Sequence, residues 1–95
     1  MRYWLSNKAE QDLREIYRYS RLKFGEMRTD AYFIGLNDKF NLLASNVSLA
    51  QKVDRIRQGY YRCFYQKHAV YFVEKRDGIF IVRVLHQKMK PELHL

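Results

Sequence analysis

The spacing of apolar residues changes near the middle of this 95-residue chain, and the change restricts the folds that it can adopt. In the first half, two sets of mostly apolar residues recur every three or four positions, which is typical of amphipathic helices. The sets are Ala9, Leu13, Ile16, Tyr17, Ser20 and Phe24, then Phe33, Leu36, Phe40, Leu43 and Val47. In the second half, three runs rich in β-branched and aromatic residues predict strands over 60–66, 69–75 and 79–86. Helices followed by strands indicate the α+β class.

The predicted order of elements is β-α-α-β-β-β. A short strand is expected over residues 2–5, because Tyr, Trp and Leu favour a pleated, half-buried surface. Ser6 or Asn7 can cap the first helix, and Glu10 follows Asn7 at the spacing of a capping box. Gly25 can end that helix and leave a short connection, so the two helices should form a hairpin. We therefore expect a two-layer fold in which a helical hairpin packs on a largely antiparallel sheet.

The last predicted strand is apolar on both faces except at Arg83, as expected of a central strand. Strict alternation predicts that Phe80, Val82 and Val84 meet the helices. The face with Ile79, Ile81, Arg83 and Leu85 would then be covered by the tail, residues 86–95, or by a partner. Gly35 lies inside the second helical pattern, where glycine costs about 1 kcal/mol relative to alanine, so a packing reason is expected.

Charge points to the kind of partner. The chain has 18 Lys and Arg against 10 Asp and Glu, a net charge of +8, which predicts an acidic partner, either nucleic acid or a negatively charged polypeptide. Apolar residues make up 47% of the chain, which is enough for a core and excludes intrinsic disorder. The length allows one domain, 1–95.

Other classes are disfavoured by what the sequence lacks. One cysteine excludes an internal disulfide and a cysteine-based zinc site, and the three histidines are not spaced as metal ligands. We expect neither metal nor cofactor. No stretch approaches the roughly 20 apolar residues of a membrane-spanning helix, and the first five residues do not begin a secretory signal. A cytoplasmic protein without membrane contact is expected.

Three residues could form part of a nuclease site. A nuclease needs cations that clamp the scissile phosphate together with a general acid and base. Arg62 and Arg83 lie on two strands of one sheet, and His86 follows at a strand end. Alternation places His86 on the face opposite Arg83 unless the strand breaks there. The alternative is structural: surface arginines, or one buried against a carboxylate.

Further cations precede the sheet. Arg55 and Arg57 belong to a segment that could bind phosphate, or could face the acidic side chains of a peptide added to the sheet edge. The aromatic residues between 60 and 65 could stack bases, although alternation would place half of them in the core. In the tail, Lys88 and Met89 could pack back on the domain or meet a partner.

The chain resembles the ParE branch of the RelE/ParE toxins of type II toxin–antitoxin systems. The resemblance covers nearly the whole chain, and it is strongest in the final strand and turn. The matching residues and segments are Leu5-Ser6, Ala9-Glu10, Asp12-Leu13, Ile16, Tyr19, Phe24-Gly25, Tyr32, Leu36, Phe40, Leu42-Leu43-Ala44, Asp54-Arg55-Ile56-Arg57, Gly59-Tyr60-Tyr61-Arg62, His68-Ala69-Val70-Tyr71-Phe72 and Ile81-Val82-Arg83-Val84-Leu85-His86-Gln87-Lys88-Met89.

The resemblance implies a bacterial toxin that poisons DNA gyrase by direct protein binding, without catalysis of its own. It also implies a cognate antitoxin with an acidic, partly disordered segment that wraps the toxin in a hetero-oligomer. RelE-type relatives instead cleave messenger RNA on the ribosome, and Arg62, Arg83 and His86 are similar to part of that nuclease set. The residues expected to contact target or antitoxin are Arg55, Arg57, Arg62, Arg83, His86, Lys88 and Met89. A third hypothesis is a generic nucleic-acid-binding module, which is not favoured.

Overall fold

A computed structural model describes all 95 residues and shows two helices on one face of a five-stranded sheet. The elements are β1 (Arg2–Leu5), α1 (Asn7–Phe24), α2 (Glu26–Ser45), β2 (Gln51–Lys52), β3 (Tyr60–Tyr65), β4 (His68–Lys75) and β5 (Gly78–His86). Short 3-10 turns span Val47–Leu49 and Pro91–Leu93. The strand order is β1-β5-β4-β3-β2; β1 runs parallel to β5, and the other pairs are antiparallel. The predicted α+β fold is confirmed, with β2 as an additional short edge strand.

The first helix is tied to the sheet at its N-terminus. Ser6 caps it, since its Oγ accepts a hydrogen bond from the Ala9 backbone N–H at 2.9 Å. The same hydroxyl donates to the Val82 carbonyl at 2.6 Å. The predicted pairing of Asn7 with Glu10 is therefore wrong, because the cap lies one residue earlier. Gly25, with φ of 86°, is the only residue between the two helices.

The main core lies between α2 and the inner face of the sheet, the face that meets the helices. Leu36, Phe40 and Leu43 of α2 are almost fully buried, as the helical spacing predicted. They pack with Ala9, Ala44, Val70, Phe72, Ile79, Ile81 and Val84. Burying a side chain of this size contributes roughly 1.5–3 kcal/mol, so this cluster holds the hairpin on the sheet.

Strand β5 breaks the alternation that was predicted for it. Phe72 pairs with Ile81 but Tyr71 pairs with Arg83, so Val82 is an extra residue in a β-bulge. Ile79 and Ile81 consequently face the helices, and after the bulge Val84 does so as well. The prediction was right for Val84 but wrong for Phe80, Ile79 and Ile81. Strict alternation assumes a regular strand, and one inserted residue reverses the face on which the residues before it lie relative to those after it.

The tail returns over the outer face of the sheet, the face away from the helices. There Ala69, Tyr71 and Leu85 form a second small core, and Leu95 packs against it. The expectation that Leu85 and Arg83 lie under the tail is confirmed, since the His94 carbonyl also accepts a hydrogen bond from Arg83.

Gly35 has the packing reason that was expected. A Cβ at this position would lie 2.0 Å from the Tyr65 hydroxyl oxygen of β3. The glycine therefore allows α2 to approach the sheet closely. Neither helix is long and apolar enough to span a membrane.

Candidate functional site

A row of polar and aromatic side chains crosses the outer face of the sheet at the predicted site. Gln51, Arg62, Tyr71 and Arg83 are successive cross-strand partners on β2, β3, β4 and β5. Tyr71 is almost fully buried between the two arginines. The sheet thus brings Arg62 and Arg83 onto one face, because both pair with the same residue.

Arg83 is engaged within the protein. Its Nε and Nη2 donate to the two carboxylate oxygens of Asp12 at 2.8 and 2.9 Å, and its Nη1 donates to the His94 carbonyl at 3.0 Å. The side chains of Arg83 and Asp12 are only 15% and 12% exposed. The hydrogen bond with Asp12 raises the pKa of the Arg83 guanidinium, and burial opposes this in part. Every guanidinium nitrogen of Arg83 therefore already has an internal partner.

Arg62 is far less saturated. Its Nη2 donates to Gln51 Oε1 at 3.3 Å, while its buried Nε has no hydrogen-bond partner. The guanidinium carbon lies 5.0 Å from the centre of the Phe64 ring and 6.0 Å from that of Tyr71. Arg62 thus makes one side-chain hydrogen bond where Arg83 makes three, so it is the arginine in this row with donors left for another molecule.

Arg62 also lines an open cleft of about 520 Å³ between the loop before β3 and the tail. Its lining residues are Gln51, Lys52, Val53, Asp54, Arg55, Ile56, Arg62 and Glu92. Asp54 Oδ1 is occupied, since it accepts from the Gly59 backbone N–H at 2.8 Å. The three cations of the cleft, Lys52, Arg55 and Arg62, outnumber its two carboxylates, which favours anionic side chains from a partner.

His86 lies on the other face. It pairs with His68 at the end of β4, and the two ring centres are 5.8 Å apart. His68 Nδ1 is 2.6 Å from the hydroxyl of Tyr32 in α2. Burial, and secondarily His86, lowers the pKa of His68, while burial raises the pKa of Tyr32 to about 12. The sheet therefore separates His86 from Arg62 and Arg83, as simple alternation predicted.

The remaining predicted residues are exposed. Arg57 lies with its guanidinium carbon 5.5 Å from the Tyr60 ring centre. Arg55 is in the turn before β3, and Lys88 and Met89 form the turn after β5. The Lys88 backbone N–H donates to His86 Nδ1 at 3.2 Å, which connects this turn to the histidine pair. Arg55, Arg57 and Arg62 thus lie near one end of the sheet, and Lys88 and Met89 follow its opposite strand end.

Two parts of this arrangement were missed by the sequence interpretation. Asp12 was not predicted to contact the sheet, yet it lies against β5 as the partner of Arg83. The single arginine in an apolar strand, Arg83, indicated that a carboxylate partner was needed. Many carboxylates in the chain could have been that partner. The contact between Tyr32 and His68 had no sequence signal, since 36 positions separate the two residues.

Comparison with known proteins identifies the family. The model of the family described as "ParE toxin of type II toxin-antitoxin system, parDE" matches residues 3–91. The chain belongs to the ParE toxin family. Toxin ParE1 of Caulobacter vibrioides is 34% identical over 95 residues, covering 98% of this chain and 96% of that protein. Toxin ParE1 of Mycobacterium tuberculosis is 30% identical, covering 99% and 97%. The predicted resemblance to ParE is confirmed.

A solved ParE-like fold also matches. The structure titled "Chromosomal ParDE TA system from P. aeruginosa" superposes with a TM-score of 0.76 at 17% identity, covering 90% of this chain and 95% of that one. Identity this low supports the shared fold alone. It places this ParE family member among structures with two helices on an open sheet.

Proposed function

We propose that this ParE family toxin inhibits bacterial DNA gyrase by direct binding and has no catalytic activity of its own. The observation that carries the proposal is the family match over residues 3–91. The site geometry supports binding over catalysis. His86 lies across the sheet from Arg62, and Arg83 is saturated by Asp12 and His94, so these residues do not converge on one phosphate.

Binding of the target is assigned to the cations and exposed apolar groups that remain available. Arg55 and Arg62 offer their guanidinium groups in the cleft beside the tail. Three further exposed residues are also assigned to target binding: Arg57, Lys88 and Met89. Arg83 and His86 act as positioning residues, Arg83 by holding the tail and His86 by holding the turn that carries Lys88.

A cognate antitoxin neutralises the toxin in this proposal. The net charge of +8 favours an acidic antitoxin segment, and a segment that orders on binding can cover a large surface. The two proteins would form a hetero-oligomer in the cytoplasm. Production of the toxin without the antitoxin should inhibit bacterial growth.

The test is a supercoiling assay with purified gyrase and toxin refolded from its denatured antitoxin complex. We expect inhibition of supercoiling and accumulation of cleaved DNA. Arg55→Glu should weaken both effects, whereas Arg14→Glu, an equal charge change on the exposed face of α1, should not. Absence of inhibition at an excess of folded toxin would contradict the proposal.

The second candidate is ribosome-dependent cleavage of messenger RNA, and it is favoured by Arg62, which makes a single side-chain hydrogen bond within the protein and lines the open cleft. Mapping of transcript ends after induction separates the candidates. New ends that disappear with Arg62→Gln would establish the nuclease, while intact transcripts in arrested cells would exclude it.

A further inference from the structure

An apolar row crosses the outer face of the sheet at the end opposite the tail. It consists of Trp4, Phe80, Val73 and Tyr60, which are successive cross-strand partners on β1, β5, β4 and β3. Each is only partly buried. Trp4 and Phe80 border a groove of about 360 Å³ whose other lining residues are Lys75, Arg76 and Asp77, with none from the tail. Tyr60 also packs against the small core of Ala69, Tyr71 and Leu85, whereas Trp4, Phe80 and Val73 belong to neither hydrophobic cluster. These three residues therefore form an apolar surface that the fold leaves unpartnered, with Tyr60 at its end.

Cations accompany this row along its length. The Arg2 guanidinium carbon lies 4.9 Å from the Trp4 ring centre, Lys75 Nζ lies 5.8 Å from that of Phe80, and Arg57 lies 5.5 Å from that of Tyr60. Arg2, Lys75 and Arg57 are exposed, and no salt bridge involves them. The surface thus combines apolar contact area with positive groups that remain free to bind carboxylates.

We propose that the apolar row binds the acidic segment of the antitoxin, with apolar side chains of the segment on Trp4 and Phe80 and its carboxylates on Arg2, Lys75 and Arg57. The inference rests on the proposed function for the identity of this partner. Three inter-strand spacings of about 4.8 Å make the row about 14 Å long, which four extended residues can span. A short segment could therefore engage all three cations.

Charge disfavours a second toxin copy, which would bring two chains of charge +8 together at their cationic faces. Arg2, Lys75 and Arg57 lie over the rings of the row, so any occupant that contacts those rings must move these cations aside. An acidic polypeptide can pair its carboxylates with the cations and place apolar side chains along the whole row, including Val73, which offers no ring on which a base could stack. Nucleic acid is the alternative occupant, and the test below distinguishes it.

Trp4 provides the test, since it is the only tryptophan in the chain. We expect acrylamide to quench its fluorescence less in the purified toxin–antitoxin complex than in refolded toxin, with the antitoxin encoded by the adjacent reading frame and, where needed, its own tryptophans replaced by phenylalanine. If a complex forms but Trp4 remains equally accessible, the inference is overturned and the proposed function stands. If no complex forms, the proposed function fails as well.

Matched charge reversals locate the contact. Arg57→Glu combined with Lys75→Glu should weaken antitoxin binding at least about tenfold, mainly through faster dissociation. Arg14→Glu with Arg18→Glu changes the net charge equally on the exposed face of α1 and should have a much smaller effect. Equal effects of the two pairs would overturn the inference. A fluorescein-labelled single-stranded oligothymidine is expected not to shift Trp4 emission, and a shift that requires Lys75 would assign the row to nucleic acid instead.

Discussion

Asp12 and Arg83 are 71 positions apart in the chain, yet two parallel hydrogen bonds of 2.8 and 2.9 Å join their side chains. Asp12 Oδ2 also accepts the backbone N–H of Val84 at 3.0 Å. One carboxylate on α1 therefore holds both the Arg83 side chain and the backbone of β5. This contact fixes the first helix where β5 extends beyond its pairing with β1.

Removal of the Asp12 carboxylate should destabilise the toxin strongly. Asp12→Ala leaves a largely buried guanidinium with only the His94 carbonyl as acceptor and the Val84 backbone N–H with none, and we expect a loss of about 3 kcal/mol in the free energy of unfolding. Urea denaturation followed by circular dichroism measures it. The control is Glu10→Ala, which removes a 3.9 Å contact with Arg14 between side chains 50% and 69% exposed. It should cost less than about 0.5 kcal/mol; similar losses for both variants would contradict the prediction.

Gly35 should tolerate no larger side chain while Tyr65 keeps its hydroxyl. The added methyl of Gly35→Ala would overlap the Tyr65 oxygen, and the cost of overpacking, roughly 1–3 kcal/mol, should exceed the gain of about 1 kcal/mol in helix propensity. Gly35→Ala combined with Tyr65→Phe should recover most of the loss, since it removes the overlapping atom. Thermal denaturation of the four proteins in this double-mutant cycle tests the coupling, and strict additivity would refute it.

His68 should make stability dependent on pH below neutrality. Its pKa is lowered from 6.5 in the folded state, so the unfolded chain binds a proton there more readily. The free energy of unfolding should therefore fall as pH drops below about 6.5, and this contribution should be absent above it. His68→Asn, which retains an acceptor for the Tyr32 hydroxyl, should reduce the slope. Denaturation at several pH values between 5 and 8 gives the comparison, and identical slopes would disprove the assignment.

Gly78 should be required for pairing of the first strand. With φ of 155°, a Cβ here would lie 1.7 Å from the Arg2 carbonyl oxygen, so Gly78→Ala must displace β1. Gly59→Ala is the control, because φ is 85° there but no atom lies within 4 Å of a Cβ; it should cost only the left-handed strain, about 1–2 kcal/mol. Hydrogen exchange of the Ser6 amide, which donates to Ile81, should accelerate in the Gly78 variant alone. If the Ser6 amide exchanges no faster in Gly78→Ala than in the unmodified protein, β1 accommodates the added Cβ and the prediction is wrong.

The order and approximate bounds of the main elements were predictable, because each long element carries its own period. Residues 60–66, 69–75 and 79–86 were predicted as strands and correspond to β3, β4 and β5 within one residue at each end. Strand β2 was not predicted, since it has two residues and no pattern of its own. The bulge at Val82 was not predicted either, because an inserted residue leaves the apolar composition of the strand unchanged.

The residues of the candidate site were predictable from the sequence, but the contacts between them were less so. Arg83 was recognised as the exception in its strand, and its opposition to His86 follows from alternation. Its link to Asp12 depends on where α1 crosses the sheet edge, which tertiary packing decides. Trp4 and Phe80 were assigned to strands, but the sequence did not show that they share a face of the sheet. Their shared face depends on the parallel pairing of β1 with β5.

The cap of α1 also affects how the toxin meets copies of itself. A bare sheet edge is a template for a neighbour's strand and hence for aggregation. Beyond β1, the Ser6 hydroxyl occupies the Val82 carbonyl and the Asp12 carboxylate occupies the Val84 amide. The side chains of the α1 cap residue and of Asp12 thus occupy these backbone groups in place of another strand. This part of the sheet edge therefore offers no free ladder for polymer growth at high concentration.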